Sequence, residues 1–276
     1  MRTPGGPMLS AEVDGLGSAS PENPEGGDPG SIHHGFCRDC HRFHGLPEGA
    51  ARAYAGHVME AFEKYGRLDY EVPENRANPR LAFDRLFPRR RGHMFGVLEC
   101  RAQSGDTVFL RAFSSLHDGI REVEGWVPPL LSPEEFYGVV LPTQHVIREM
   151  TGELAHLEEG TEEHRARFEE RKEISRELLE TMQGLYRFLN FRGESRSLSE
   201  ALCESLKVPG VVGECCAPKL LTFAAREGLV PVSMAEFYWG GVQASGRLVS
   251  GQFYPSCKTR CEPILGFLLC GLDHAR

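Results

Sequence analysis

Apolar residues recur at helical spacing in "EGAARAYAGHVMEAFEKYG", where Ala51, Tyr54, Ala55, Val58, Met59 and Phe62 share a face and Gly66 supplies a stop. "GHMFGVLECRA" and "DTVFLRAFSS" are apolar, rich in β-formers and separated by "QSG". They predict a β-hairpin. "GWVPPLLSPEEF" follows as a proline-rich loop anchored by Trp126 and Leu130.

The longest periodic signal runs over residues 143–190. Val146, Ile147, Met150, Leu154 and Leu157 form one stripe; Phe168, Ile174, Leu178, Met182, Leu185 and Leu189 form another. Gly160 between them suits a helix end and Thr161 an N-cap, so a helical hairpin is expected. The charges of "EEHRARFEERKEISRE" alternate in sign, the pattern of a solvated face. "GECCAPKLLTFAAREG" then reads as a helix, "LVPVSMAEFYWGG" as a strand and "CEPILGFLLCGL" as a final helix. The expected fold is α/β or α+β, a mixed sheet with flanking helices and a helical-hairpin insertion at 143–190. Residues 32–276 are expected to form one domain. Residues 1–31, rich in Gly, Pro and Ser with no apolar period, read as a disordered tail.

Composition narrows the classes. With 41% hydrophobic and 25% charged residues, the 276-residue chain is ordinary globular material. A formal net charge of −8 excludes a polycation, so any nucleic-acid contact needs a local basic patch. Arg89, Arg90 and Arg91 are the densest one, with Arg80 and Arg85 close by. The longest apolar run is too short to span a bilayer, and "MRTPGGPMLSAEVDG" has no apolar signal core, so a cytoplasmic location is expected. Nine cysteines are then free or metal-bound rather than paired.

Their placement carries the chemistry. Cys215 and Cys216 precede Pro218, and Cys257 and Cys261 precede Pro263, each proline suiting the first turn of a helix. A helix N-terminus favours thiolate, the form that zinc and nucleophilic chemistry both need. Cys215, Cys257 and Cys261 are therefore a candidate tetrahedral metal set, with His44 as a fourth donor. A reactive thiol and plain packing are the alternatives. Cys100 and Cys270 read as small core residues. A second cluster, "CRDCHRFH", offers Cys37 and Cys40 at knuckle spacing with His41 and His44 behind them. Four ligands within eight residues would be cramped, so Cys37, Cys40 and one histidine should recruit a distant ligand; a solvated polar turn is the plainer reading.

"GHMFGVL", "RAFSS", "WVPPL", "NFRGE", "GECCAPKLL", "MAEFYWG" and "FYPSCKTRCEPILG", spread over residues 92–272, together resemble a family of uncharacterised bacterial proteins. They are also similar to the non-catalytic N-terminal region of some RluA-type RNA pseudouridine synthases. The resemblance implies an RNA-modification context without pseudouridylation. Separately, Arg192 and Glu194 in "NFRGE" are candidate phosphate or base-edge contacts, although a helix end with Gly193 at C′ and the charges as a cap is the preferred reading. "GRLD" at 66–69 mimics a synthase motif but lacks its context. The helix–strand–helix order with "YPSCKTRC" also resembles the zinc-dependent nucleobase deaminases, where zinc activates water and a glutamate moves protons. That resemblance implies a deaminase-like arrangement with Glu214 or Lys219 in the proton-transfer role. The departures are Val212 at a ligand position and a cysteine spacing one residue longer. Two expectations follow: a zinc-dependent hydrolase acting on a nucleobase or nucleoside, or a zinc-stapled module that binds RNA or a protein partner.

Overall fold

The computed structural model describes residues 33–84, 86–87, 91–202, 212–241 and 248–272. The expected tail, Arg89, Arg90 and Cys203 lie outside the described residues. The chain begins as a hairpin of β1 (His33–Cys37) and β2 (Arg42–Leu46), then runs through α1 (Gly49–Tyr65), β3 (Gly92–Arg101) and β4 (Thr107–Phe113). A short α2 (Pro133–Glu135) and a π-helical turn (Phe136–Val140) lead into α3 (Leu141–Leu154) and α4 (Glu162–Leu185). A two-residue ribbon, β5 (Phe188–Leu189) with β6 (Ser195–Arg196), precedes α5 (Leu198–Ala201) and α6 (Cys216–Arg226). The order closes with β7 (Val230–Gly240), β8 (Phe253–Tyr254) and α7 (Glu262–Leu268).

The main sheet has the order β4-β3-β7-β8, and every pairing among the described residues is antiparallel. The fold is therefore α+β, and the mixed sheet of the expectation is replaced by an antiparallel one. β3 is central because its apolar run Phe95–Leu98 is buried and its backbone is paired on both edges. One sheet face is covered by α1 and an aromatic core. Phe62 sits within ring contact of Tyr70, Phe83, Phe95, Trp126, Phe237 and Trp239. The other face packs against α6, and α7 joins the same core from behind it, with the helical hairpin contributing Ile147, Leu178 and Met182. Gly96 brings α6 down onto β3: a Cβ there would lie 2.7 Å from Cys216 Cβ and 2.9 Å from Leu220 Cδ1.

Two boundaries differ from the sequence expectation. The hairpin's second helix ends at Leu185, and "NFRGE" forms the β5–β6 turn, not a helix end. Asn190 Oδ1 accepts from the backbone N–H groups of Arg192 (3.0 Å) and Glu194 (2.9 Å), a local turn that competes with helix continuation. The polar face of α4 is solvated as expected, laced by pairs such as Lys172–Glu169 at 2.9 Å and Arg176–Glu180 at 3.0 Å.

Phe62→Ala should destabilise the protein by about 3–5 kcal/mol, because a large buried ring leaves a cavity its aromatic neighbours cannot close. Phe168→Ala, at a 40% exposed position on α4, should change stability by about 0.5 kcal/mol or less. Urea denaturation of both variants measures the contrast.

Candidate metal centre

The β1–β2 hairpin turns through "CRDC", and His41 takes a positive φ of 53° to complete the reversal. That turn leaves Cys37 at the end of β1, Cys40 in the turn and His44 on β2. The fourth member arrives from the far end of the chain. Cys270, just past α7, closes a group in which the donor atoms of Cys37, Cys40, His44 and Cys270 all lie within 4.8 Å of one another. Cys40 Sγ is 2.9 Å from His44 Nε2 and 3.9 Å from Cys270 Sγ. The S···S edge of a zinc tetrahedron with bonds of 2.3 Å is about 3.8 Å. Three thiols and an imidazole at these separations fit a tetrahedral zinc site.

Backbone contact makes this closure available. Gly35 of β1 and Gly266 of α7 face each other so closely that a Cβ on Gly35 would lie 2.6 Å from Glu262 O. A Cβ on Gly266 would lie 2.5 Å from Cys37 N. The β5–β6 turn completes the surroundings: Phe191 N–H donates to Cys270 O at 3.0 Å, and Arg192 Nη1 lies 3.8 Å from Cys270 Sγ. Arg196 pairs with Asp39 at 3.0 Å. Three thiolates carry more negative charge than a divalent cation neutralises, and these two guanidinium groups stand beside the excess.

The thiols divide unequally before any metal binds. Burial pushes Cys37 up, but hydrogen bonds from His44, the Cys40 backbone and Cys270 outweigh it and bring the thiol down to about 6. Burial raises Cys40, and Cys270 is raised to about 12, again chiefly by burial. Cys37 is thus the thiol of the group most inclined to ionise, and a metal would displace the protons of the others.

Several expectations are redrawn by this geometry. Cys270 is buried, as expected of a core residue, but it lies just past the helix and its sulfur stands with the donor atoms of Cys37, Cys40 and His44. His44 stands with Cys37 and Cys40, whereas His41 occupies the exposed turn. Arg192 is beside Cys270 and 3.6 Å from Glu194 Oε1, so its charge is engaged at the cluster. Arg91, the described member of the basic run, is exposed ahead of β3. The distant fourth ligand expected for "CRDCHRFH" has a counterpart in Cys270, which no local pattern could have named.

The C-terminal cysteines are arranged differently. Cys215 caps α6 and Cys261 caps α7, and the Cys261 thiol hydrogen-bonds Cys215. That bond lowers the Cys215 thiol, and it is also the leading cause that raises Cys261. Cys257 is exposed, 3.3 Å from Thr259 Oγ1, and does not complete a three-donor group with them among the described residues. Cys216 donates to Met94 O at 3.1 Å inside the core. Glu214 accepts from Tyr186 Oη at 2.8 Å and lies 3.7 Å from Arg121. Lys219 is fully buried, lowered by desolvation, and donates to the Phe113 carbonyl. A buried carboxyl whose charge acts on both thiols is Glu236, which sequence reasoning did not single out. Burial raises it to about 7 despite hydrogen bonds from Ser256 and the Ala217 backbone. Ser256 Oγ bridges it, at 2.9 Å, to His33 Nδ1 at 2.8 Å.

Compared with family models, curated proteins and solved structures, the chain matches none.

The buried pair Glu236 and His33 predicts two opposed pH dependences. Glu236 rises from 4.5 to about 7 on folding, so its contribution to stability falls as pH rises through that window. Burial lowers His33 from 6.5 to about 4, so its contribution is lost as pH falls through that range. Glu236→Gln removes the first slope alone. Relative to wild type, the variant should gain stability as pH rises from 4.5 to 7, as measured by denaturant titration at each pH.

Proposed function

We propose that this chain is a zinc-stapled binding module in which Cys37, Cys40, His44 and Cys270 hold a structural metal, with RNA as the partner implied by the sequence resemblance. The observation that carries the reading is closure: four protein donors gather within 4.8 Å, the full complement of a tetrahedral site, with no position left for water or substrate. Such a site contributes folding energy and no catalysis. Its donors come from the β1–β2 hairpin and from the turn after α7, so the metal would lock the two ends of the described chain together. Arg192 and Arg196 would balance its charge.

A second reading is favoured by a different observation. α6, β7 and α7 come in that order, with only the short β8 between the last two, and Cys215 and Cys261 at the two helix N-termini interact through their thiols. This order supports the deaminase-like arrangement, and a hydrolase of that class would bind a second, catalytic zinc there. Cys257 would have to turn inward to serve it. Glu236, near neutrality and with its charge acting on both thiols, fits the proton-carrying role better than Glu214, which Tyr186 already engages.

Metal stoichiometry separates the two. The module reading expects one zinc per chain by elemental analysis. Cys40→Ser or Cys270→Ser should lose it and lower Tm by several degrees, as should a strong chelator. Two zinc ions per chain together with release of ammonia from cytidine or adenosine would favour the hydrolase. Metal-free protein with a Tm indifferent to chelator would end the stapled-module reading. Its RNA component expects salt-dependent binding of single strands, with a slope of about 0.7 per phosphate contact.

A further inference from the structure

The hairpin that carries Cys37, Cys40 and His44 has a second face. Along β1 exposure alternates: His33, Gly35 and Cys37 are buried, whereas His34 and Phe36 are exposed. The buried set is turned toward α7, where Gly35 meets the backbone of Glu262 and Gly266, and toward the donor cluster. The exposed set therefore points away from the protein. The register puts Phe43 opposite Phe36 and Gly45 opposite His34, and residues paired directly across two strands share a face. On that face the Phe36 and Phe43 rings meet edge to face at 5.3 Å, and the His34 ring lies 6.4 Å from Phe43.

Folding makes little use of these rings. Phe36 is 41% exposed, and neither phenylalanine belongs to either of the two hydrophobic cores. Their surroundings are basic in a chain whose net charge is −8: residues 33–46 carry Arg38 and Arg42 against the single acid Asp39. Both arginines are exposed, while Asp39 is already paired with Arg196 at 3.0 Å. Exposed rings flanked by guanidinium groups match the two chemistries of a single nucleic-acid strand. Aromatic side chains take the flat face of a base whatever its identity, and arginines take phosphate oxygens. In a duplex those base faces are already stacked on each other, so a single strand is selected. The rings span two residues of β1, about 7 Å, which is room for one or two bases.

We propose that the outward face of the β1–β2 hairpin is a contact for single-stranded nucleic acid, with Phe36, Phe43 and His34 stacking one or two bases and Arg38 and Arg42 holding the adjoining phosphates. It deepens the stapled-module reading and rests on it, because the donors that would hold the metal also hold this hairpin rigid.

Fluorescence anisotropy of the full chain with a short labelled oligoadenylate at low ionic strength tests it, beside an abasic strand of equal length. Saturable binding is expected, with the abasic strand clearly weaker. Phe36→Ala, at an exposed position, should weaken oligoadenylate binding about tenfold or more, the worth of a lost stack, and leave the zinc content unchanged. Phe36→Tyr keeps a ring there and should bind as wild type does. Arg42→Gln should lower the salt slope by about 0.7, one phosphate contact, while the preference for oligoadenylate over the abasic strand persists. Binding that Phe36→Ala leaves unchanged overturns the proposal, as does an abasic strand that binds as tightly as oligoadenylate. A chain that binds no single strand overturns it too and leaves the rings to a protein partner. Zinc at one per chain with binding indifferent to Phe36 would sink this proposal and spare the staple. Binding that depends on Phe36 in a metal-free chain would do the reverse, so the two fail separately.

Discussion

Everything in this molecule is hung on β3, a strand paired on both edges and covered on both faces. Its register with β7 aligns Phe95 with Phe237 and Leu98 with Met234, so successive residues feed opposite cores. A strand in that position has no solvated face, which is why "MFGVL" is a continuous apolar run instead of an alternating one. Gly96 is the exception within the run, and its missing side chain decides where α6 sits. With α6 that close, Cys216 reaches the carbonyls of Met94 and Ala112 and Lys219 reaches the Phe113 carbonyl. A β-carbon at Gly96 would push the helix outward and leave those buried polar groups without partners. The position of Cys215, one residue before the helix, follows from the same contact.

The sequence was legible wherever one element carried its own periodic signal. α1 buries Ala51, Ala55, Val58 and Phe62 and stops at Gly66 with φ 64°, as its spacing and its glycine imply. The β3–β4 hairpin and the two long helices were equally local. "HHGFC" was not, because histidine and glycine occupy the buried positions of β1 and give no apolar alternation. Likewise "NFRGE" follows a helical stripe closely enough to prolong it, and only the Asn190 side-chain bonds reveal a turn. The two cysteine clusters show the deeper limit. Thiols at helix starts are visible from flanking prolines, so Cys215 and Cys261 could be matched as capping residues. Cys270 lies 230 residues from Cys40, and no periodicity connects them.

The thiol chemistry also sorts by what each side chain is allowed to desolvate. Cys216 and Cys100 are buried among carbonyls and apolar groups, and burial pushes both thiols up, Cys100 to about 12. They are held as protonated core residues. Cys215 and Cys37 go the other way because each receives hydrogen bonds from a neighbouring thiol, and Cys37 from an imidazole as well. Among the described residues, the two lowered thiols each have a second cysteine beside them. The features that favour thiolate are thus gathered at two points, while Cys100 and Cys216 are held protonated in the core.

Those two points are the two ends of one short helix. α7 has only seven residues, too few to persist alone, and it carries no side-chain N-cap. Its first turn is held by the Cys261–Cys215 contact and its exit by Cys270 in the four-donor cluster. Between them Gly266 lies against the backbone of Phe36 and Cys37. The hairpin at the start of the described chain therefore packs backbone to backbone on α7, and the start of α7 brings Cys261 to Cys215. A metal bound by Cys37, Cys40, His44 and Cys270 would fix α7 at its far end. The pair of thiols at Cys215 and Cys261 would then keep its arrangement through a structural ion that never touches it.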